Sequence, residues 1–459
     1  MKVLIAGGSG LLGQKLAKAL DKAGHEVTIL SRNPELLKWH VYGVHYSAWD
    51  SSQPDQLSEL VEGQDVIINL AGANIAGENL LQMRWTAGRR AAIMESRLQS
   101  GTALSQALKK TSQKPKVFLQ ASAIGYYGPR DDEALDEQAP AGNDFLADVC
   151  RQWEQASKSV EKVGVRHIVL RTGLVFGAGA RILSLLMLPF HILAGGPVGN
   201  GRQFMSWIHA QDWVRAVQFL MEHQSARGAF NLVAPNPVSN RSFAKTLGQV
   251  MRRPSLLPTP AFALKLALGS ASTLALDGQR VIPAALNKLG FRFEFPELRL
   301  ALRNILNTNK VFARQFLVRA EPRAVIDYHR NTQILKRLTP LPIIVQFQRV
   351  EPVSEGSRAL FTLWFGPIPV KWDARHHNLL PEAGFTDTQD SGPFKSWVHD
   401  HRFFRFSTEQ TAVQDYIRFQ YGETGFSWLI SRFMGLTLPI LFAYRLWRTK
   451  RDLEQISYP

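Results

Sequence analysis

Short, unbroken apolar runs recur along the first 240 residues: KVLIA at 2–6, Val27–Leu30, DVIINL at 65–70, VFLQAS at 117–122 and HIVLRTG at 167–173. Between them lie stretches with the 3.6-residue period of amphipathic helices, notably 91–110 and 144–163. Strands without a polar face need cover on both sides. Alternating with helices, they predict a doubly wound parallel α/β sheet of Rossmann type over 1–240. Residues 251–305 change character: Pro254, Pro258 and Pro260 precede a small apolar helix, and LNKLGFRFEFPELRLALRNIL closes the unit. A small closing domain is therefore expected over 241–306. From Val311 the period becomes two, in IIVQFQRV, RALFTLWF, PVKWDARHHNL, KSWVHDHRFFRF and AVQDYIRFQY, with turns at Ser354-Glu355-Gly356 and Ser391-Gly392-Pro393. This predicts an α+β domain over 311–459: an antiparallel sheet with one covered face, a helix near 426–453 to cover it, and an apolar cavity between them.

Composition narrows the class. Of 459 residues, 45% are hydrophobic and 20% charged, enough apolar material for real cores and far from a disordered chain. The single cysteine, Cys150, excludes a disulfide framework and any cysteine-based metal cluster. The opening MKVLIAGGSG lacks the plan of a secretory signal, so a cytoplasmic protein is expected. No stretch reaches 18 uncharged apolar residues, so no membrane span is expected. The net charge of +16 is spread along the chain without a block of like charges. That pattern reads as a solvated basic surface, with no nucleic-acid partner.

The chemistry begins at Gly7, Gly10 and Gly13, spaced G-x-x-G-x-x-G between the first strand and the first helix. The first glycine allows the tight turn, the second a close approach by a pyrophosphate, and the third close helix–strand packing. The helix opening at Leu11 and Leu12 then offers backbone donors to the anion. The second strand ends in Ser31-Arg32, where NAD binders usually carry an acid for the ribose hydroxyls. A guanidinium suits a 2′-phosphate and favours NADP(H) over NAD(H).

With these pieces in view, the first 300 residues resemble the extended short-chain dehydrogenase/reductase superfamily, in its atypical epimerase-family branch. The resemblance rests on GGSGLLG (7–13), LSRNP (30–34), Trp49-Asp50, INLAGANI (68–75), SR (96–97), SAIGYYG (122–128), WE (153–154), RTGLVFG (171–177) and GGPVGNGRQFMSWIHAQD (195–212). GQRVIPAALNKLGFRFEFPEL (278–298) resembles the small domain closing that branch. The last 150 residues resemble the START-like/polyketide-cyclase helix-grip (SRPBCC) superfamily through LTPLP (338–342) and SGPFKSWVHDHRF (391–403). The first resemblance implies Gly7, Gly10 and Gly13 at the pyrophosphate, Arg32 at the 2′-phosphate and Asp50 near the adenine. Leu70, Ala71 and Gly72 would line the ribose side, with Ser122 beside the nicotinamide. It further implies a small-molecule substrate, a sugar nucleotide or other small carbonyl or alcohol. Arg171, Arg202, Trp207 and His209 would stand on the substrate side; for Arg171 an ion pair, and for His209 a helix cap, are the alternatives.

Active members of that superfamily use a Tyr-x-x-x-Lys pair for proton transfer. Aligned on Glu154, the lysine position falls on Cys150 and the tyrosine position on Leu146, and neither performs the role. Tyr126 and Tyr127, on the loop after Ser122, and Cys150 as a tuned thiolate are the substitute candidates; the alternatives are that the tyrosines pack the loop and that Cys150 is a small buried hydrophobe. Two readings stand beside an enzyme of this kind: a non-catalytic NADPH-responsive protein whose C-terminal cavity holds an apolar ligand, and a cyclase or dehydratase centred on Asp373 or His399 in that cavity. No metal site is expected. His399 and His401 share a strand face, read as the solvent face, whereas Phe361, Leu363, Phe365, Trp397 and Phe403 are expected to line the cavity or core.

Overall fold

A computed structural model describes residues 1–37, 39–49, 54–77, 81–307, 310–423 and 425–454. The chain divides into two compact units: Met1–Leu37 with Val41–Asn307, and Lys38–His40 with Thr308–Pro459.

The first unit has parallel strands β1 (Lys2–Ala6), β2 (Glu26–Ser31), β3 (His45–Ala48), β4 (Val66–Asn69), β5 (Val117–Ala123), β6 (Arg166–Thr172) and β7 (Gly228–Leu232); all but β3 and β7 arise from the five apolar runs. They lie in the order β7-β6-β5-β4-β1-β2-β3, so the chain reverses direction across the sheet beside β1. Both faces are buried, as uninterrupted apolar strands require. Helix α1 (Leu11–Lys22) buries Leu16, Ala17 and Leu20 on one face. Helices α2 (Ala87–Lys110) and α3 (Phe145–Ser157) are N-capped by Thr86 and Asp144, whose side chains accept from Arg89 N and Ala147 N. Residues of the closing segment belong to this unit: Phe295, Leu298, Ala301 and Leu302 share a core with Trp207 and Phe176.

In the second unit, period-two alternation becomes β8 (Lys310–Val318), β9 (Ile343–Val350), β10 (Arg358–Phe365), β11 (Ile368–Leu380), β12 (Gly384–Ser391), β13 (Ser396–Arg405) and β14 (Thr411–Gln420). These antiparallel strands run β8-β14-β13-β12-β11-β10-β9. A 30-residue helix, α4 (Gly425–Glu454), buries Ile430, Leu438, Phe442 and Leu453 and leaves Leu429, Leu436 and Ile440 exposed. By length and composition α4 is apolar enough to cross a membrane. Arg432 interrupts its apolar run, so no stretch of 18 uncharged apolar residues occurs within it.

Helix and sheet flank a half-open cavity of about 360 Å³, lined among others by Phe361, Leu363, Phe365, Trp372 and Trp397. Phe403 is fully buried in a neighbouring core cluster. His399 and His401 are buried and line the same cavity, which corrects their placement on the solvent face. The reason is strand parity: Trp397, His399, His401 and Phe403 all project to one side. Asp373 has the opposite parity to the buried Trp372 and Ala374 and pairs with Arg358, so it is no cavity acid.

Candidate functional site

The loop after β1 is held by local geometry. Gly7 has φ +72°, and a Cβ there would stand 2.6 Å from Ala71 N. At Gly13 a Cβ would meet Gly8 Cα at 2.5 Å, so helix and loop touch backbone to backbone. At Gly10 the nearest atom would be Gly7 O at 3.6 Å, which leaves that face of the loop open. Gly10 is the N-cap of α1 without a capping side chain, and no acid occupies the first turn. The first amides of the helix thus have no capping side chain and carry the positive end of the helix dipole, a cradle that fits a diphosphate. Ser31 ends β2, the neighbour of β1, and the exposed Arg32 follows it at the same edge of the sheet. Leu70, Ala71 and Gly72 follow β4 on the other side of β1. There Leu70 N donates to Ala6 O at 2.8 Å, while Gly72 is exposed. Asp50 lies outside the described residues.

Beyond Gly72 stands a cation that the motif reading does not single out. Arg97 on α2 is buried, donates to Ala73 O (3.1 Å) and Ile93 O (2.9 Å), and lies over the Trp153 ring at 4.7 Å. Its Nε has no partner, and burial lowers its pKa to about 10. Only the SR dipeptide at 96–97 marks it in the sequence.

At the end of β5 the polar side chains form one connected chain. Ser122 Oγ donates to Glu154 Oε1 at 2.7 Å. Arg171 donates through Nε and Nη2 to the two Glu154 oxygens at 2.9 and 3.0 Å, and through Nη1 to the Tyr127 hydroxyl at 3.1 Å. Tyr127 in turn donates to Asn231 Oδ1 at 2.7 Å. Burial would lower the Arg171 pKa, but the hydrogen bonds and charge of Glu154 outweigh it and hold the guanidinium charged. Burial pushes the fully buried Tyr127 up to about 12 despite Arg171. Tyr127 is therefore a fixed neutral link. Tyr126 is half-buried, its ring 3.4 Å from the Arg171 guanidinium, and no hydrogen bond to its hydroxyl is found among the described residues.

Cys150 stands against Ser122 Oγ and the Ala123 backbone. Burial, with the charge of Glu154, raises its thiol to about 11, so it is neutral near pH 7. A Cβ on Gly125, in the turn after β5, would meet Leu146 Cβ at 3.2 Å and Cys150 Sγ at 3.8 Å. Both replacement residues thus pack against the turn that carries the tyrosines.

The expected substrate-side residues separate. Arg202 is exposed. Trp207 is fully buried, its ring stacked on Phe176 and its Nε1 donating to Asn236 O at 3.3 Å, so it is core and its placement in the crevice is corrected. His209 takes its alternative role: Nδ1 caps the helix Ala210–Glu222 by accepting from Gln211 N at 3.2 Å, and the ring packs on Phe295. Burial lowers its pKa to about 4, against the pull of Asp212, and keeps it neutral. Arg171 is likewise the buried ion-pair partner. Glu154, Glu137 and Asn231 went unassigned in the sequence because their roles depend on distant partners. Glu137, for example, accepts from Asn231 N (2.9 Å) and Ala285 N (3.1 Å).

Residues 3–232 match the NAD dependent epimerase/dehydratase family, and residues 259–305 match a domain of unknown function, DUF1731. Epimerase family protein YfhF of Bacillus subtilis (strain 168) is 36% identical over 313 residues, 68% of this chain and 99% of that protein. Epimerase family protein SSP1921 of Staphylococcus saprophyticus is 38% identical over 307 residues, 66% of this chain and 99% of that one. Among solved structures, the human epimerase family protein SDR39U1 (isoform 2) with NADPH aligns at TM-score 0.59 and 32% identity, covering 67% of this chain and 99% of its own. A nucleoside-diphosphate sugar epimerase from Corynebacterium glutamicum aligns at TM-score 0.53 and 32% identity, covering 67% of this chain and 58% of its own. With its glycine turn, parallel sheet and matched length of sequence, the chain belongs to the NAD dependent epimerase/dehydratase family.

Proposed function

We propose that the first unit binds NADP(H) in preference to NAD(H) and is an epimerase/dehydratase- or reductase-like protein for a sugar nucleotide or another small carbonyl or alcohol. The observation that carries this reading is the open face at Gly10 between two glycines locked against backbone, with Arg32 at the neighbouring strand end. The relative SDR39U1, solved with NADPH, supports the choice of cofactor. When bound, the cofactor supplies hydride chemistry. The glycine loop would hold its diphosphate, Arg32 its 2′-phosphate, and Leu70–Gly72 would line its ribose side. Tyr126, near Ser122 and free of the hydrogen bonds that fix Tyr127, is the proton-donor candidate; Cys150 and Leu146 supply none. Titrating the full chain with NADPH and NADH tests the reading. Arg32→Ala is expected to erase the preference for NADPH while leaving binding of NADH; equal preference before and after the substitution overturns the assignment of Arg32.

A second reading, the NADPH-responsive protein without turnover, is favoured by one observation: Ser122 spends its only proton on Glu154 and has none for a substrate carbonyl. In that reading the second unit, whose sheet and long helix resemble the helix-grip superfamily, holds an apolar ligand. Mixing the protein with NADPH and a panel of carbonyl substrates separates the two. Loss of NADPH absorbance with any substrate establishes turnover; a fluorescence change without oxidation across the panel supports the second reading.

A further inference from the structure

Four buried side chains, His376, His399, His401 and Asp415, and the half-buried Asp387 form a continuous chain along the wall of the second unit's cavity, and the nucleotide reading uses none of them. His376, Asp387 and His399 are in register on β11, β12 and β13, and His401 faces Asp415 on β14. Asp387 Oδ1 lies 2.5 Å from His376 Nδ1, and its Oδ2 lies 3.1 Å from His401 Nε2. Asp415 Oδ1 lies 2.9 Å from His399 Nε2 and 3.2 Å from His401 Nδ1. One donor atom from each of Asp387, His399 and His401 falls within 4.8 Å of the other two.

Two observations mark the cluster as incomplete without a further group. His376 is 5% exposed, yet its Nε2 has no partner, and His401 Nδ1, close as it is to Asp415, lacks hydrogen-bond geometry. Buried polar networks are ordinarily satisfied throughout, because each unmet group costs its full desolvation. The supporting contacts also have a recognisable order. Imidazoles that bind metal pass their other nitrogen to a carboxylate, and ligating carboxylates are themselves hydrogen-bonded. Here Asp415 Oδ1 is hydrogen-bonded to His399 Nε2, and Asp387 Oδ1 to His376 Nδ1.

We propose that Asp387, His399 and His401 bind a divalent transition-metal ion in the wall of the cavity, with Asp415 and His376 as positioning residues. Two imidazoles and one carboxylate leave coordination positions open, as in iron(II) and zinc centres that act on a bound ligand. All three donors line the cavity, so a molecule held among Phe361, Trp372 and Trp397 meets those positions. Arg445 lines the same space. The ion and Arg445 bring three positive charges against the two of Asp387 and Asp415. The surplus assigns an anionic oxygen, carboxylate or enolate, to the ligand's head and an apolar body to the rest.

The test is metal analysis of the full chain without an affinity tag, followed by chelator treatment and titration with cobalt(II), read by its visible d–d absorption. The expected result is about one ion per chain. It should be lost in His399→Ala and in Asp387→Asn, weakened about 10–100-fold in Asp415→Asn, and unchanged in His377→Ala, on the opposite face of β11. Circular dichroism and tryptophan fluorescence of each metal-free variant, matched to the metal-free wild type, confirm that the fold persists. If a variant does not fold, chelator-reversible thermal stabilisation of the wild type by cobalt decides. No bound ion and no stabilisation, or binding that survives His399→Ala with Asp387→Asn, overturns the proposal. Nucleotide titrations of the same preparations fail or succeed independently of this outcome.

Discussion

The molecule carries two buried polar chains of nearly equal length, and they differ in how they end. In the first unit, Ser122, Glu154, Arg171, Tyr127 and Asn231 run from β5 to β7, and both ends close: Asn231 Nδ2 donates onward to Ile282 O at 3.0 Å, and Ser122 gives its proton to Glu154. In the second, His376, Asp387, His401, Asp415 and His399 run across four strands and leave ring nitrogens unmet at a cavity. A closed network uses up its hydrogen-bonding capacity on the fold, whereas an open one keeps some for a ligand. By this measure the Arg171 chain is scaffold beneath the nucleotide site, and the histidine chain is a site in itself.

The sharpest way to break the contrast is to remove one end of the Arg171–Glu154 pair. Arg171→Met leaves the half-buried Glu154 uncompensated and is expected to destabilise the first unit by up to about 3–5 kcal/mol in chemical denaturation. A loss below about 1 kcal/mol would mean that the pair is solvated and belongs to the site. Tyr127→Phe removes a hydroxyl that both donates and accepts, at an expected cost of about 1–3 kcal/mol with nucleotide affinity unchanged. A lost affinity instead would return Tyr127 to the chemistry. His209 gives a pH signature of the scaffold. Its folded pKa, about 4, lies below the ordinary value of 6.5. The unfolded chain therefore binds the extra proton between those values, so stability is complete above pH 6.5 and declines as pH falls toward 4. His209→Asn, which retains an N-cap, should flatten that part of the stability–pH curve; an unaltered slope assigns it to other groups. The smallest effect is expected at Gly10→Ala: stability within about 0.5 kcal/mol of wild type, because the added methyl meets Gly7 O at an ordinary contact distance, but weakened nucleotide binding.

Features fixed by neighbouring residues were legible in the sequence. The glycine turn reads directly because φ at Gly7 and the backbone contact at Gly13 are local demands on residue type, and unbroken runs such as VIIN report burial on both faces. What depends on partners far along the chain was not. Arg171 meets Glu154 17 positions away and Tyr127 44 positions away, and no spacing rule links them. Trp207 sits in a motif shared with crevice residues, yet stacking on Phe176 takes it into the core. His399 and His401 are the instructive case. Their parity with Trp397 and Phe403 already points inward, but a buried imidazole pair is tolerable only with Asp387 and Asp415 opposite, and strand register alone supplies those.

Calorimetric titration of the intact chain with each pyridine nucleotide shows directly whether the amides opening α1 grip a dinucleotide and whether Arg32 selects its phosphorylated form. Saturable heat is expected with NADPH, reduced for NADH and nearly equal for the two in Arg32→Ala. Absence of heat from either nucleotide at millimolar concentration would contradict that expectation.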